Sequence, residues 1–123
     1  MRNLSFALTT RQMRDHSKTV TRRRGEFWAK VLKPGDLVCA VEKSQGIVKG
    51  GLVRLGTIRV VSVRVERLHE MVYHHPYGLV EVVREGFPGM TPIAFVDMFV
   101  EHMGGVPSQT VTRIEFEHVE ATS

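Results

Sequence analysis

The sequence predicts an α+β domain built on a small β-barrel of mixed strands, with about three short helices. Three observations lead there. Several segments alternate apolar and polar residues with the period of two that a half-buried strand requires, and a few others carry apolar stripes at helical spacing. The elements come in mixed order, not in the regular strand-helix-strand alternation that builds a parallel sheet. Hydrophobic residues make up 42% and charged residues 24% of the chain, which excludes a disordered composition and fits one core over one domain, residues 1–123.

The elements follow in chain order. Leu4-Ser5-Phe6 reads as a short strand, and Thr9 or Thr10 is placed to cap a short helix over residues 11–15. Residues 18–23 have the β-branched alternation of a strand, which Gly25 stops. Residues 26–32 put Phe27, Val31 and Trp28 toward one helical side, before the turn signal Lys33-Pro34-Gly35-Asp36. A strand is expected over 37–42, and the Gly- and Lys-rich stretch 44–51 reads as an exposed, mobile loop. Residues 57–66 form the clearest strand, with Val61, Val63 and Val65 on the inward face and Ser62, Arg64 and Glu66 on the other. Ile58 and Val60 break that phase, which predicts a bulge near Val60 or Val61. Thr91-Pro92 opens a helix whose stripe is Ile93, Phe95, Val96, Phe99, Val100 and Met103, and Gly104-Gly105 ends it. In the last strand, 110–119, Thr112, Ile114, Phe116 and His118 alternate with Arg113, Glu115 and Glu117.

Charge is distributed unevenly. Up to Lys33 there are nine basic residues against two acids, a net +7, whereas the remainder carries eight bases and eleven acids, a net −3. Such a basic third either attracts a polyanion, because phosphate contacts supply most non-specific nucleic-acid affinity, or is a solvated face without a partner. No apolar run approaches the roughly 18 residues of a membrane span, and the first ten residues lack a secretory apolar stretch. A cytoplasmic protein without membrane contact is expected. The single cysteine, Cys39, lies in an apolar run and reads as a buried, inert thiol. His69, His74 and His75 have no companion cysteine or carboxylate at ligand spacing, and with Tyr73, Pro76 and Tyr77 they read as a polar loop. Neither a metal nor a cofactor is predicted.

The ordered set Leu4-Ser5-Phe6, Lys18-Thr19-Val20-Thr21-Arg22-Arg23, Pro34-Gly35-Asp36, Gly56-Thr57-Ile58-Arg59-Val60, Glu85-Gly86-Phe87-Pro88-Gly89-Met90-Thr91 and Val111-Thr112-Arg113-Ile114-Glu115-Phe116 resembles the ASCH domain family. That family belongs to the PUA-like superfamily of small β-barrels, and the resemblance spans nearly the whole chain. It implies a cleft that receives RNA or a modified nucleoside. Family members include RNA-binding modules and ribonucleases, and one bacterial branch is similar to an amidohydrolase that removes an acetyl group from the exocyclic nitrogen of cytidine. That branch uses a Lys-Thr-x-Thr motif and a later glutamate, which fall here on Lys18, Thr21 and Glu85. This chain differs from it in a longer middle, the Gly-Phe-Pro-Gly stretch after Glu85 and the triple arginine.

Amide hydrolysis needs a nucleophile, a group that takes and returns its proton, and donors for the oxyanion. By resemblance, Thr21 is the nucleophile or positions a water, Lys18 is the base, and Glu85 carries the proton or orients Lys18. A regular strand from Lys18 onward would send Lys18 and Thr21 to opposite faces, so a bend between them is required. Otherwise Thr19 and Thr21 are simply strand-favouring residues. Arg22, Arg23 and Arg24, with Lys30, are the expected phosphate contacts. Trp28 either stacks on a base or packs as a core or lid residue against Phe27.

Overall fold

The computed structural model describes residues 1–43 and 51–119, so the predicted loop at 44–51 lies, apart from Gly51, outside the described residues. Five strands form one sheet: β1 (Arg2–Ser5), β2 (Val20–Arg24), β3 (Leu37–Val41), β4 (Arg54–Arg67) and β5 (Thr110–Val119), in the order β1-β3-β4-β5-β2. Only β1 and β3 run parallel. The other pairs are antiparallel. The result is a half-barrel of mixed strands, an α+β fold of the predicted class.

The helices are α1 (Thr10–Arg14), which follows a 3-10 turn at Ala7–Thr9, α2 (Phe27–Val31), α3 (Glu70–Tyr73), α4 (Tyr77–Arg84) and α5 (Pro92–Met103). α3 and α4 replace the polar loop expected around His69, Tyr73, His74, His75 and Tyr77. The reason lies in the run Leu79-Val80-Glu81-Val82-Val83, whose β-branched residues disguise a helix that buries only Gly78, Glu81 and Val82. α5 begins as its sequence requires: Ala94 N–H donates to the Thr91 hydroxyl at 3.1 Å, and Pro92 occupies the first turn. Its buried stripe is narrower than predicted, namely Pro92, Phe95, Val96 and Phe99, with Ile93 59% exposed. The threonine cap expected for α1 is not made; Thr10 Oγ1 instead donates back to the Phe6 carbonyl at 3.1 Å.

The predicted bulge in the long strand is present. Val60 pairs with Phe116 and Ser62 with Glu115, so Val61 is the extra residue, and Val63 and Val65 then rejoin the phase of Ile58 and Val60. This corrects the expected inward face in part: Ile58 and Val60 are its buried members and Val63 packs against the inner core as expected, while Val61 and Val65 are each 43% exposed. A two-residue period continued through a bulge assigns the wrong partners on one side of it.

Two apolar clusters flank the sheet. On the inner face Leu4, Phe6, Met13, Val38, Ala40, Ile58, Val60, Ile114 and Phe116 pack together, with Trp28 and Val31 of α2 against them. Phe27 is turned outward, edge-on to Trp28 and 56% exposed, which corrects its predicted place on the core side of α2. On the outer face Leu68, Met71, Val82, Phe95, Val96, Phe99 and Val111 join α3, α4 and α5 to the sheet. Cys39 is buried, as expected. Among the described residues no helix is long and apolar enough to cross a membrane.

Candidate functional site

β1 and β2 are the two edges of the sheet, and a cavity of about 560 Å³ opens between them. Residues 3–9 supply one wall, Lys18, Thr21, Arg22 and Arg23 another, and Phe87, Phe95 and Phe99 an apolar side. Trp28, Lys43 and Glu85 complete the parts that matter for its chemistry. A volume of this size suits one small organic ligand.

Local backbone bonds bring the polar residues there. β2 begins only at Val20, so Lys18 and Thr19 belong to the connection from α1. Lys18 N–H donates to the Gln12 carbonyl at 3.2 Å, Thr19 N–H to the Arg84 carbonyl at 2.8 Å, and Phe116 N–H to the Thr19 carbonyl at 2.9 Å. Because Lys18 precedes the strand, the alternation that would set it opposite Thr21 does not apply, and both line the cavity; Thr19 does not. From the other side, Glu85 caps α4, and Gly86 follows at φ +101°. A Cβ at Gly86 would lie 2.7 Å from the Gln12 side chain, so only glycine lets this turn dock on α1 without a shift. Gln12 Nε2 also donates to the Gly86 carbonyl at 3.2 Å.

Lys18 and Glu85, 67 residues apart, meet in the wall. Lys18 Nζ donates to Glu85 Oε1 at 2.6 Å and to the Glu85 carbonyl at 2.9 Å, both groups being buried. Burial lowers the Lys18 pKa, and the Arg23 and Arg22 charges push the same way, against the carboxylate of Glu85 that favours the ammonium. The second oxygen, Glu85 Oε2, accepts from Arg22 Nη1 at 2.9 Å.

Arg22 leads out of the cavity into an ion-pair layer under α4. Its Nη2 bonds Glu81 Oε1 at 2.5 Å, Tyr77 Oη at 2.9 Å and Glu66 Oε2 at 3.2 Å. Arg113, its cross-strand partner on β5, donates to Glu81 through Nε at 2.5 Å and Nη2 at 3.1 Å. Burial alone would raise the Glu81 pKa, but the bonds and charges of Arg113 and Arg22 outweigh it and hold it down at about 2. The same carboxylates raise the pKa of Arg22 against its own burial. Sequence reading gave Glu66, Tyr77, Glu81 and Arg113 no part in the site. The one available signal was Glu81 itself, a charge in the middle of an apolar run.

The three arginines expected to contact phosphates do not share one face. Arg22 is buried and committed to three glutamates. Arg23 turns the opposite way, into the cavity, with its guanidinium carbon 4.8 Å from the Phe6 ring centre. Arg24 alone faces solvent, bonded to Gln109 Oε1 at 2.9 Å and to the Met103 carbonyl at 3.0 Å. Lys30 is exposed on α2, and Trp28 is half-buried, packed on the inner core with one side on the cavity. Among the described residues no group of three or more histidine, cysteine or acidic side chains is arranged to hold a metal ion.

Comparison with solved structures assigns the fold. The chain has an ASCH-like fold. It is similar to an ASCH domain from Lactobacillus crispatus at 11% identity and a TM-score of 0.57, over 95% of this chain and 78% of that one. It is also similar to the hypothetical protein PH0355, at 16% identity and a TM-score of 0.61 over 96% of each chain. A third likeness is to protein EF3133 from Enterococcus faecalis, at 14% identity and a TM-score of 0.62 over 97% of this chain and 76% of that one. No family model matches the sequence, and no curated protein matches it either.

Proposed function

We propose that this ASCH-like domain binds a modified nucleoside in the cavity between its edge strands and hydrolyses the amide of an N-acylated cytidine. One observation carries the reading: the buried 2.6 Å contact between Lys18 Nζ and Glu85 Oε1 lies in the wall of a ligand-sized cavity that Thr21 also lines. In this reading Lys18, whose ammonium is disfavoured by burial, takes the proton of the Thr21 hydroxyl, or of a water that Thr21 positions, as that oxygen attacks the acyl carbon. The proton then passes to the departing exocyclic nitrogen; where water attacks, the free acid leaves directly, and where Thr21 attacks, the acyl group is left as its ester, which a water deprotonated by Lys18 cleaves to release the acid and restore the hydroxyl. Glu85 orients Lys18 and holds its charge between these steps. The lysine needs a lowered pKa to do this, and desolvation pushes it that way against the charge of Glu85.

A non-catalytic RNA-binding module and a ribonuclease are the competing readings. The module loses its main support with the arginine run, since Arg22 is buried in ion pairs and Arg23 faces the cavity. Only Arg24 and Lys30 of the expected phosphate contacts remain on the surface. A screen of acylated cytidines with mass detection decides: release of cytidine from at least one of them is expected. No turnover on any, alongside salt-sensitive binding of single-stranded RNA, would transfer the function to the module.

A further inference from the structure

The buried charges around the cavity balance without Arg23. Lys18, Arg22 and Arg113 are matched by Glu66, Glu81 and Glu85 through direct contacts of 3.2 Å or less. Both carboxylate oxygens of Glu85 are already taken, one by Lys18 and one by Arg22. Arg84 turns to Glu115, and Arg64 shares Glu66 at the solvent edge.

Arg23 is left over. Among the described residues its side chain makes no ion pair and no hydrogen bond, and its Nε, like that of Arg22, is buried without a partner. Burial holds its pKa down, partly offset by the charge of Glu85, but only to about 10, so the guanidinium stays positive at neutral pH. Of the charged side chains lining the cavity, Lys18, Arg22, Arg23 and Lys43 are basic and Glu85 alone is acidic. Arg23 is half-buried, and an uncompensated cation drawn partly out of water attracts an anion more strongly than one in bulk solvent.

The shape of the site narrows the anion. The Arg23 guanidinium lies over the Phe6 ring, 4.8 Å from its centre, a cation–π contact that holds it at the cavity wall. A planar fork is suited to two oxygens at once, the geometry of a phosphate or carboxylate. Arg23 and Thr21 pair with Thr112 and Ile114 and so share the inner face of β2, roughly 7 Å apart along the strand. One ligand can therefore reach Thr21 with its reacting end and Arg23 with a charged end.

We infer that Arg23 receives a phosphate group, and that the ligand this cavity prefers is a nucleoside monophosphate over the neutral nucleoside. The phosphate site stands on Arg23 itself; the nucleoside part rests on the function proposed above. Trp28 is the single tryptophan and lines the cavity, which makes its fluorescence a reporter of occupancy. The protein is titrated with cytidine, cytidine 5′-monophosphate, inorganic phosphate and acetate, with calorimetry on the same series in case Trp28 is silent. The monophosphate is expected to bind at least about tenfold more tightly than cytidine, by an advantage that shrinks with salt. Arg23→Met should erase that ratio, and Arg23→Lys should keep part of it and guard against a misfolded methionine variant. Equal affinities for cytidine and its monophosphate, or a ratio untouched by Arg23→Met, would overturn the inference. So would acetate binding as tightly as phosphate, or no binding of any of the four. Arg23-dependent binding of phosphate with no gain from the nucleoside would uphold the anion site and defeat the nucleoside reading. Arg23-dependent binding of the monophosphate without hydrolysis of any acylcytidine would uphold the inference and defeat only the proposed reaction.

Discussion

Arg22 and Arg23 are neighbours on one strand, yet they end in opposite kinds of surroundings. Strand alternation sends Arg22 under α4, where Glu66, Glu81 and Glu85 meet it, and sends Arg23 into the cavity, where no carboxylate is free. The first region is a closed set of buried charges and the second an open one. In a closed set each charge offsets the desolvation of its partner, so the arrangement holds α4 and Glu85 in place against the sheet. In an open set the cost of burying the cation stays unmet until a ligand supplies the counter-charge. The same residue type is thus structural at one position and poised for recognition at the next.

Removing each arginine tests that contrast at its largest. Arg22→Met leaves Glu81 and Glu85 short of a partner in a buried layer, and a loss of about 3–5 kcal/mol in urea unfolding is expected. Arg23→Met removes a charge that nothing in the described protein offsets, so its stability should stay within about 1 kcal/mol of the parent or rise above it. Equal, large losses from both would show that Arg23 also has a structural partner.

Acid titration sharpens the same point. Glu81 is held at about 2 in the folded protein, against an ordinary value of 4.5. Its stabilisation is therefore whole above about pH 4.5 and is lost as the pH falls toward 2, by up to ~3 kcal/mol. Glu115, which the hydrogen bond from Arg84 holds low despite some desolvation, contributes in the same direction. Thermal melts from pH 6 to pH 2 should show this decline, and Glu81→Gln, although less stable throughout, should flatten it. A curve as steep in the variant as in the parent would place the acid-sensitive groups elsewhere.

On the cavity side, paired threonine substitutions give the smallest of these effects and bear on chemistry alone. If the proposed hydrolysis is observed, Thr21→Ala should lower turnover at least about a hundredfold with the melting temperature nearly unchanged. Thr19→Ala should matter much less, because its side chain does not line the cavity. Equal losses from the two would move the reacting threonine to Thr19. Lys18→Ala and Glu85→Ala should fail together with Thr21→Ala, since groups that act as one unit are not additive; retained turnover in the glutamate variant would detach it from the mechanism.

Much of the local structure was legible beforehand. The turn at residues 33–36 and the apolar run after it marked β3, period-two alternation marked β4 and β5, Thr91-Pro92 and Gly104 marked the limits of α5, and the broken phase at Ile58 and Val60 announced the bulge. These signals come from residues close in sequence that obey one local geometry. Where two local rules conflicted, reading failed: β-branched valines hid α4, and carrying one alternation across the bulge put Val61 inside.

The sequence by itself also singled out Lys18, Thr21 and Glu85, through a motif and a resemblance, but it held no means of bringing them together. What joins them is tertiary: β2 starting late enough to free Lys18 from strand alternation, Gly86 docking on Gln12, and the β2–β5 ladder setting Arg22 beside Arg113. The fate of the three arginines was likewise decided there. Charge is a property of the residue, but whether that charge is paired, buried or free depends on groups dozens of positions away, and only the packed fold determines which of them arrive.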